Sequence, residues 1–548
     1  MDFKLLQISS MHKPQKADYK EISNECVLLG ERFSYILCAA SEQNFYADIK
    51  VLSPLKEYIK LYVIENAVMD MPTTMKVEET EGYISKEPGL MPDILVPIEE
   101  YRGKWSVANS SELVSSLYIE VNIPLNIEPG DYDITIEISS ADNQQINECK
   151  TLHLHVADAE LAKQTLIYTR WFYADCVADI HHVPVFSEKH WSLMKKYISA
   201  AKKTGVNMIY VPIHTEPLDT APGTMRTCVQ LVDIEKCGET YKFGFEKFRK
   251  FIDMCLGCGI EYFEMAHLFT QGGAECAPNI MVTENGKTDY MFSWRTSYSS
   301  PQYTHFLRQY IKALTNELYS LGIADKTYFH ISDEPLADDV ERYEFAYNLI
   351  KPLIGDIKTF DALSDYVFYE KGLVECPVTQ EEFLDDFLNH DVQNQWVYYC
   401  CFPQKTFPNA LLAMTLSRVR ILGILLYKFN IQGFLHWGLN YYNSWKSYHL
   451  INPYITTSAD KTYPSGDPFI LYPGNDTVYS SLRGESTFDA IQDMRICQTL
   501  QNLIGRDKVI KLIDEEAGFS IHFDKYPTDD EFLPRLRRKL ITKIEESL

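Results

Sequence analysis

The sequence predicts an α/β protein built as an N-terminal β-sandwich followed by a (β/α)8 barrel. Three observations carry this expectation. Residues 1–157 contain short runs of alternating apolar and polar character with few helical stretches between them. From about residue 166 the pattern changes, and strand-like runs alternate with helical ones, as βα units of a parallel sheet require. One of those runs, Tyr328-Phe329-His330-Ile331-Ser332, ends in two adjacent carboxylates, Asp333 and Glu334, followed by Pro335. Carboxyl ends of strands are where α/β folds keep their chemistry.

In the first region, residues 45–51 and 117–121 alternate, and the turn signal Pro129-Gly130 precedes a third alternating run over 130–138. A fourth follows at 152–156, and strands at this spacing suggest a sandwich. Residues 158–165 read as a connector. Candidate barrel strands follow at 167–171, 207–213, 261–266, 327–332, 359–363, 373–378, 395–401 and 433–437. Helical periodicity lies between many of them, at 188–203, 245–256, 301–321, 337–353 and 411–427. Eight strands with intervening helices predict a catalytic barrel over 166–500. Residues 501–548 are expected to form a helical extension packed on the barrel, with one strand-like run at 519–523.

Composition narrows the class. The 548 residues exceed one ordinary core, and 46% apolar with 23% charged content is that of a folded globular chain. A net charge of −24 opposes nucleic-acid and anionic-membrane partners, which need basic patches. The basic run Arg535-Leu536-Arg537-Arg538-Lys539 reads as a solvated helix face. The N-terminus lacks an apolar core of signal-peptide length. The most apolar segment, 410–427, is interrupted by Ser417, Arg418 and Arg420 and is no membrane span. Thirteen scattered cysteines, an odd number, fit reduced thiols and a cytoplasmic location. Cys255 and Cys258 form a C-x-x-C pair, but no second pair exists to complete a zinc site.

Asp333 and Glu334 admit two readings. An acid before proline is ordinary helix N-cap grammar. At a barrel mouth, paired acids suit general acid/base work on a glycosidic bond. The other predicted strand ends bring Trp171, His214, His267, Asp361, Tyr398 and the run His436-Trp437-Gly438-Leu439-Asn440 to the same mouth. Two acids, several aromatics and neutral hydrogen-bonding groups fit a sugar. A barrel metallohydrolase would favour a close His-x-His pair at an early strand end, and the first strand has none. His181-His182 fall in a loop, and His330 reads as an interior histidine. No metal and no cofactor are expected.

Several ordered blocks resemble glycoside hydrolase family 123, the β-N-acetylgalactosaminidases, and the related barrel domains. They are His330-Ile331-Ser332-Asp333-Glu334-Pro335, Trp396-Val397-Tyr398-Tyr399, Pro408-Asn409 with the helix carrying Arg418, Gly433 to Tyr442, Leu471-Tyr472-Pro473-Gly474, and Ser481-Leu482-Arg483-Gly484-Glu485 with Asp489-Ala490-Ile491-Gln492-Asp493. The resemblance runs from about residue 166 to 495. It implies a substrate-assisted retaining mechanism in which Glu334 is the general acid/base. Asp333 would orient the 2-acetamido group whose oxygen attacks C1. It further implies that Trp437 and Tyr398 wall the sugar subsite and that Asn440 and His267 bond ring hydroxyls, with Asp361, His214 and Trp445 as further substrate contacts. Arg483 and Asp493 would form a structural ion network. The expected activity is that of an exo-β-N-acetylhexosaminidase on a small oligosaccharide or glycoside. Two alternatives stand beside it: a barrel glycosidase for sugars without a 2-acetamido group, and a non-catalytic carbohydrate-binding protein.

Overall fold

The computed structural model describes residues 3–16, 18–75, 82–109, 114–140, 146–215 and 217–548. Their contacts form two compact units: Met1–Gln164 with Gln404–Phe429 and Tyr479–Leu548, and Thr165–Pro403 with Asn430–Val478.

The second unit holds a closed barrel of eight parallel strands. In order they are Ile167–Arg170, Met208–Val211, Tyr262–Met265, Thr327–Phe329, Lys358–Ala362, Cys376–Gln380, Trp396–Tyr398 and Gly433–His436. The eighth closes onto the first through Ile167↔Gly433 to Arg170↔His436. The strands are short and almost wholly buried, which is why they read as apolar runs rather than alternations. Gly433 is required by close packing: a Cβ there would overlap the Trp396 indole.

The connections depart from a regular alternation of strands and helices. Full helices follow the first four strands: Glu188–Lys203, Glu246–Gly257, Pro301–Ser320 and Val340–Ile354. Pro301–Ser320 starts with proline at its first turn and buries Tyr303, Phe306, Leu307, Tyr310, Leu314 and Leu318, the stripe spacing of a core-facing helix. After the fifth and sixth strands, where the sequence shows no helical run, only the short helices Val367–Glu370 and Leu384–Leu388 form. Two hairpins interrupt the alternation. Asp233–Cys237 with Thr240–Gly244 follows the second strand, Ile280–Glu284 with Lys287–Phe292 follows the third, and the four strands form one small sheet. Its strands carry exposed charges at alternate positions and lack the apolar signal of the barrel strands.

The first unit contains two sheets. One runs Phe3–Ser9, Arg32–Ser41, Ser115–Asn122, Ile59–Met69, Gly89–Pro97. The other runs Asn24–Leu29, Asn147–Glu160, Gly130–Ser140, Phe45–Leu52, Lys104–Val107. Their inward residues share one core: Ile134, Ile136 and Ile138 alternate into it and meet Tyr35, Leu37, Trp105 and Leu117. The helical run expected at 411–427 is two helices, Leu416–Arg420 and Leu422–Lys428. Leu482–Ile504, Arg506–Ala517 and Phe532–Glu545 belong to the same unit. Residues 519–523 form no strand, and only an isolated bridge, His522↔Lys525, lies near them. Arg483 and Asp493 do not pair. Arg483 is fully buried against Asp93, Nη2 to Oδ2 at 2.9 Å, while Asp493 takes the guanidinium of Arg420 at 2.7 Å. Both acids are buried and both are neutralised, as buried charges must be. Among the described residues no helix is long and apolar enough to cross a membrane.

Candidate active site

The fourth barrel strand and its extension are buried through Ser332, and the next two residues emerge at the mouth, Asp333 half-buried and Glu334 exposed. Neither caps a helix. The helix begins at Val340, and the turn before it is closed by Asp339, whose carboxylate accepts the Leu336 N–H at 3.0 Å. Glu334 sits in the left-handed region at φ 43°, a conformation that disfavours a side-chain-bearing residue by about 1–2 kcal/mol. Its neighbours hold it there. The Glu334 N–H donates to the Ala362 carbonyl at 2.9 Å, and the Asp333 carbonyl accepts the Gly272 N–H at 2.9 Å. Such strain concentrates where the surrounding structure fixes a functional group.

Asp333 and Glu334 line one pocket at the barrel mouth. Tyr398, from the end of the seventh strand, donates its hydroxyl to Glu334 Oε1 at 2.6 Å. Burial and the Glu334 charge hold the Tyr398 phenol well above its usual proton affinity, so it stays a donor. Trp437 forms another wall, its Nε1–H donating to Asp467 Oδ2 at 3.0 Å and its ring set edge-on against Tyr441 and Tyr463, each at 5.2 Å. These four predicted residues are brought together in one pocket.

The others lie elsewhere. Asn440 is buried behind the wall. Its amide accepts from the Tyr173 N–H and donates to the Tyr173 carbonyl, both at 3.0 Å, tying the loop after the first strand to the loop after the eighth. His214 is buried with Nε2 on the His267 carbonyl at 2.7 Å, and burial lowers its proton affinity to about 4. His267 is also buried, with Nδ1 3.0 Å from Tyr210 Oη, and burial with the neighbouring His330 keeps it neutral. Trp445 is 45% exposed and does not line the pocket.

Asp361 belongs to a buried network beneath the pocket. Its carboxylate accepts the N–H groups of Ile331 (3.1 Å) and Ser332 (3.3 Å), the Tyr343 hydroxyl, and His330 Nδ1 at 2.8 Å. His330 Nε2 bonds Glu264 Oε1 at 2.5 Å, and the same Glu264 oxygen accepts Trp171 Nε1–H at 2.5 Å. Burial opposes protonation of His330, but the two carboxylates overcome it and raise the imidazole to about 9, so it is an imidazolium at neutral pH. Burial raises the Asp361 carboxyl. His267, His330 and Asp361 are close enough to be considered for a metal ion. Both His330 nitrogens are engaged, however, and its ring stacks on His267 at 3.8 Å and 17°, so the in-plane lone pairs do not converge on one ion. The cluster is a charge network that seats Trp171 and the strand end carrying the acid pair.

Trp171, expected at the mouth from its place at the end of the first strand, also lines the pocket. Several other lining residues were not among the predicted ones. Tyr173 follows the first strand, Asp219 and Gln271 the second and third, Cys400 and Cys401 the seventh, and Tyr463 the eighth. These sit on loops without periodicity, where sequence offers no register.

A family model described as the glycoside hydrolase 123 catalytic domain matches residues 171–500. No curated protein matches the chain. Among solved structures, a family 123 glycoside hydrolase from Clostridium perfringens, described for the hydrolysis of glycolipid glycans, is similar with a TM-score of 0.75 at 16% identity, over 100% of this chain and 98% of its own. At that identity the likeness shows the fold. A calcium-binding mutant of Bacteroides uniformis β-glucuronidase 2 is similar over 84% of this chain and 48% of its own, at 10% identity and a TM-score of 0.29, too low to carry an argument.

Proposed function

Because the chain belongs to glycoside hydrolase family 123 and is a glycoside hydrolase, we propose that it is a retaining exo-β-N-acetylhexosaminidase that uses the substrate's own 2-acetamido group as nucleophile. The observation that carries this reading is the placement of Asp333 and Glu334 side by side on one rim of a single pocket. A retaining enzyme with a protein nucleophile needs its two carboxyl groups on opposite sugar faces, roughly 5 Å apart. Adjacent residues on one strand end do not straddle a bond, whereas a proton donor beside an acetamide-orienting acid fits them. The preference for N-acetylgalactosamine comes from the family resemblance.

The steps follow from these positions. Glu334 protonates the glycosidic oxygen as the acetamido oxygen attacks C1 and the aglycone leaves. Asp333 accepts the acetamido N–H and stabilises the cyclic oxazolinium ion that forms. Glu334, now a carboxylate, removes a proton from water, which opens the ring at C1 and restores the β configuration. Tyr398 holds one Glu334 oxygen at 2.6 Å and leaves the other for the leaving group. Trp437 and Trp171 supply flat apolar walls for a pyranose ring.

A second reading rests on Asp219, a third carboxylate lining the same pocket. In it Asp219 is a protein nucleophile and the substrate needs no acetamido group. A panel of 4-nitrophenyl β-glycosides with 2-acetamido or 2-hydroxyl groups separates the two. The proposal expects hydrolysis of the 2-acetamido glycosides only. Turnover of 2-hydroxyl glycosides that disappears in Asp219→Asn would overturn it in favour of the second reading.

A further inference from the structure

Beyond the sugar pocket, the loop after the eighth barrel strand presents aromatic side chains to solvent in a tightly held frame. Trp445 is 45% exposed and Tyr448 60% exposed, their rings 6.5 Å apart and nearly edge to face. Leu450, Tyr454 and Ile455 are exposed further along the same stretch.

The backbone under Trp445 is strained and over-determined. Lys446 and Ser447 are consecutive non-glycine residues in the left-handed region, at φ 53° and 57°, and Asp219 opposite them is at 46°. Each such residue is held at a cost of about 1–3 kcal/mol. The restraints are specific. Asp219 Oδ1 accepts the Lys446 N–H at 3.3 Å and the Tyr463 hydroxyl at 2.9 Å, and the Asp219 carbonyl accepts Ser447 Oγ at 2.8 Å. The Lys446 carbonyl accepts the Ala221 N–H at 3.1 Å. Tyr441, packed on Trp437 and Tyr173, donates to the Ser444 carbonyl at 2.9 Å. The turn that displays Trp445 is therefore tied directly to Asp219, and through Asp219 and Tyr441 to Tyr463, Trp437 and Tyr173, all of which line the pocket. Lys446 Nζ lies over the Trp445 indole, 4.6 Å from the ring centroid.

We propose that Trp445 is an aglycone subsite, a flat platform that stacks against the first neutral hexopyranose ring on the leaving-group side of the scissile bond. This rests on the exo-glycosidase reading above. An exo-acting pocket buries one sugar, so the next ring must pass the mouth, where a rigid exposed indole can take its C–H face. Pre-ordering the turn means that binding does not have to immobilise a loop, which is a main cost of recognition at a flexible surface.

The test compares kcat/KM for a disaccharide and for the methyl glycoside of the same terminal sugar, in wild type and in Trp445→Ala. The terminal sugar is whichever one the wild type hydrolyses, so failure of the acetamido reading does not affect the comparison. The expected result is a wild-type preference for the disaccharide whose ratio falls at least about ten-fold in Trp445→Ala, a loss of about 1.4 kcal/mol. Trp445→Phe, which keeps an aromatic face, should restore most of it. No wild-type preference, an unchanged ratio in Trp445→Ala, or no difference between the Phe and Ala variants would each overturn the proposal.

Discussion

Replacing His330 with phenylalanine tests whether the buried charge network supports the site. The substitution keeps a ring against His267 and Phe360 but removes both donors, stranding Glu264 and Asp361. All three side chains are inaccessible to solvent, so water does not discount the loss. Removing one partner of such a buried pair costs about 3–5 kcal/mol. Proton affinity leads to a similar figure. Raising an imidazole from 6.5 to about 9 corresponds to about 3 kcal/mol of preference for the charged form in the folded state. Because the folded affinity is the higher one, this contribution is fully present below about pH 6.5 and is lost as pH rises through about 9. At about 2 °C per kcal/mol for a large domain, Tm at pH 7 should fall by about 6–10 °C in His330→Phe. Melting curves followed by circular dichroism from pH 6 to 10 measure both effects. The wild type should lose stability through the alkaline limb, and the variant should lack that limb. Adding Glu264→Gln to His330→Phe should recover part of the loss, because one stranded charge is gone. A fall below 2 °C, or the same alkaline limb in both proteins, would refute the reasoning.

The catalytic proposals are separable by leaving group. Glu334→Gln should keep its melting temperature and lose roughly 10²- to 10⁴-fold in kcat on a natural disaccharide, with a smaller loss on an activated aryl glycoside; near-normal turnover of the disaccharide would remove Glu334 from the acid role. Asp333→Asn should slow good and poor leaving groups alike. In wild type a thiazoline mimic of the cyclic intermediate should bind roughly 10²-fold or more tighter than the sugar product, with that preference reduced in Asp333→Asn; equal binding of mimic and product by the wild type would count against substrate assistance. Cys400 and Cys401 line the pocket with their sulfurs 3.8 Å apart, so alkylating both with iodoacetamide should abolish activity; the reaction should be slow, because the Cys401 thiol and burial hold the Cys400 thiol well above its usual range, and a bound product should slow it further. Full activity after both thiols are shown by mass spectrometry to be alkylated would contradict their placement on the pocket wall.

Much of the barrel was legible because its strands are buried on every side. Runs such as Met208–Val211 and Gly433–His436 are apolar without alternation, and the amphipathic helices after the first four strands have a clear period. The short connections after the fifth and sixth strands were not legible as such, since helices of 4 and 5 residues carry too little periodicity to distinguish from turns. The site divides in the same way. Asp333, Glu334, Tyr398 and Trp437 lie at or just past strand ends, where position in the sequence implies position at the mouth. Asn440, His214 and Asp361 also lie near strand ends, but their side chains bond backbone groups behind the wall, and sequence does not say which way a polar side chain turns. Asp219 and Tyr463 reach the pocket on loops held by tertiary contacts rather than by any local periodicity.

The acid pair and the network beneath it form one mechanical unit. Asp361 on the fifth strand fixes the N–H groups of Ile331 and Ser332, and the next residue on that strand, Ala362, accepts the N–H of Glu334. The fifth strand thus sets the path of the chain from residue 331 to 334 while contributing only Ala362 to the pocket lining. That path leaves Glu334 in the left-handed region, where its side chain meets Tyr398 from the seventh strand. An unrestrained Glu334 would relax to an extended backbone and turn its carboxyl away from that hydroxyl. The charge on His330 is what makes the arrangement affordable: without it, two carboxylates would share the barrel interior unpaired, and Asp361 would be held in place only by bonds to neutral groups. In the proposed mechanism the position of the Glu334 carboxyl at the mouth therefore rests on an imidazolium buried beneath the pocket.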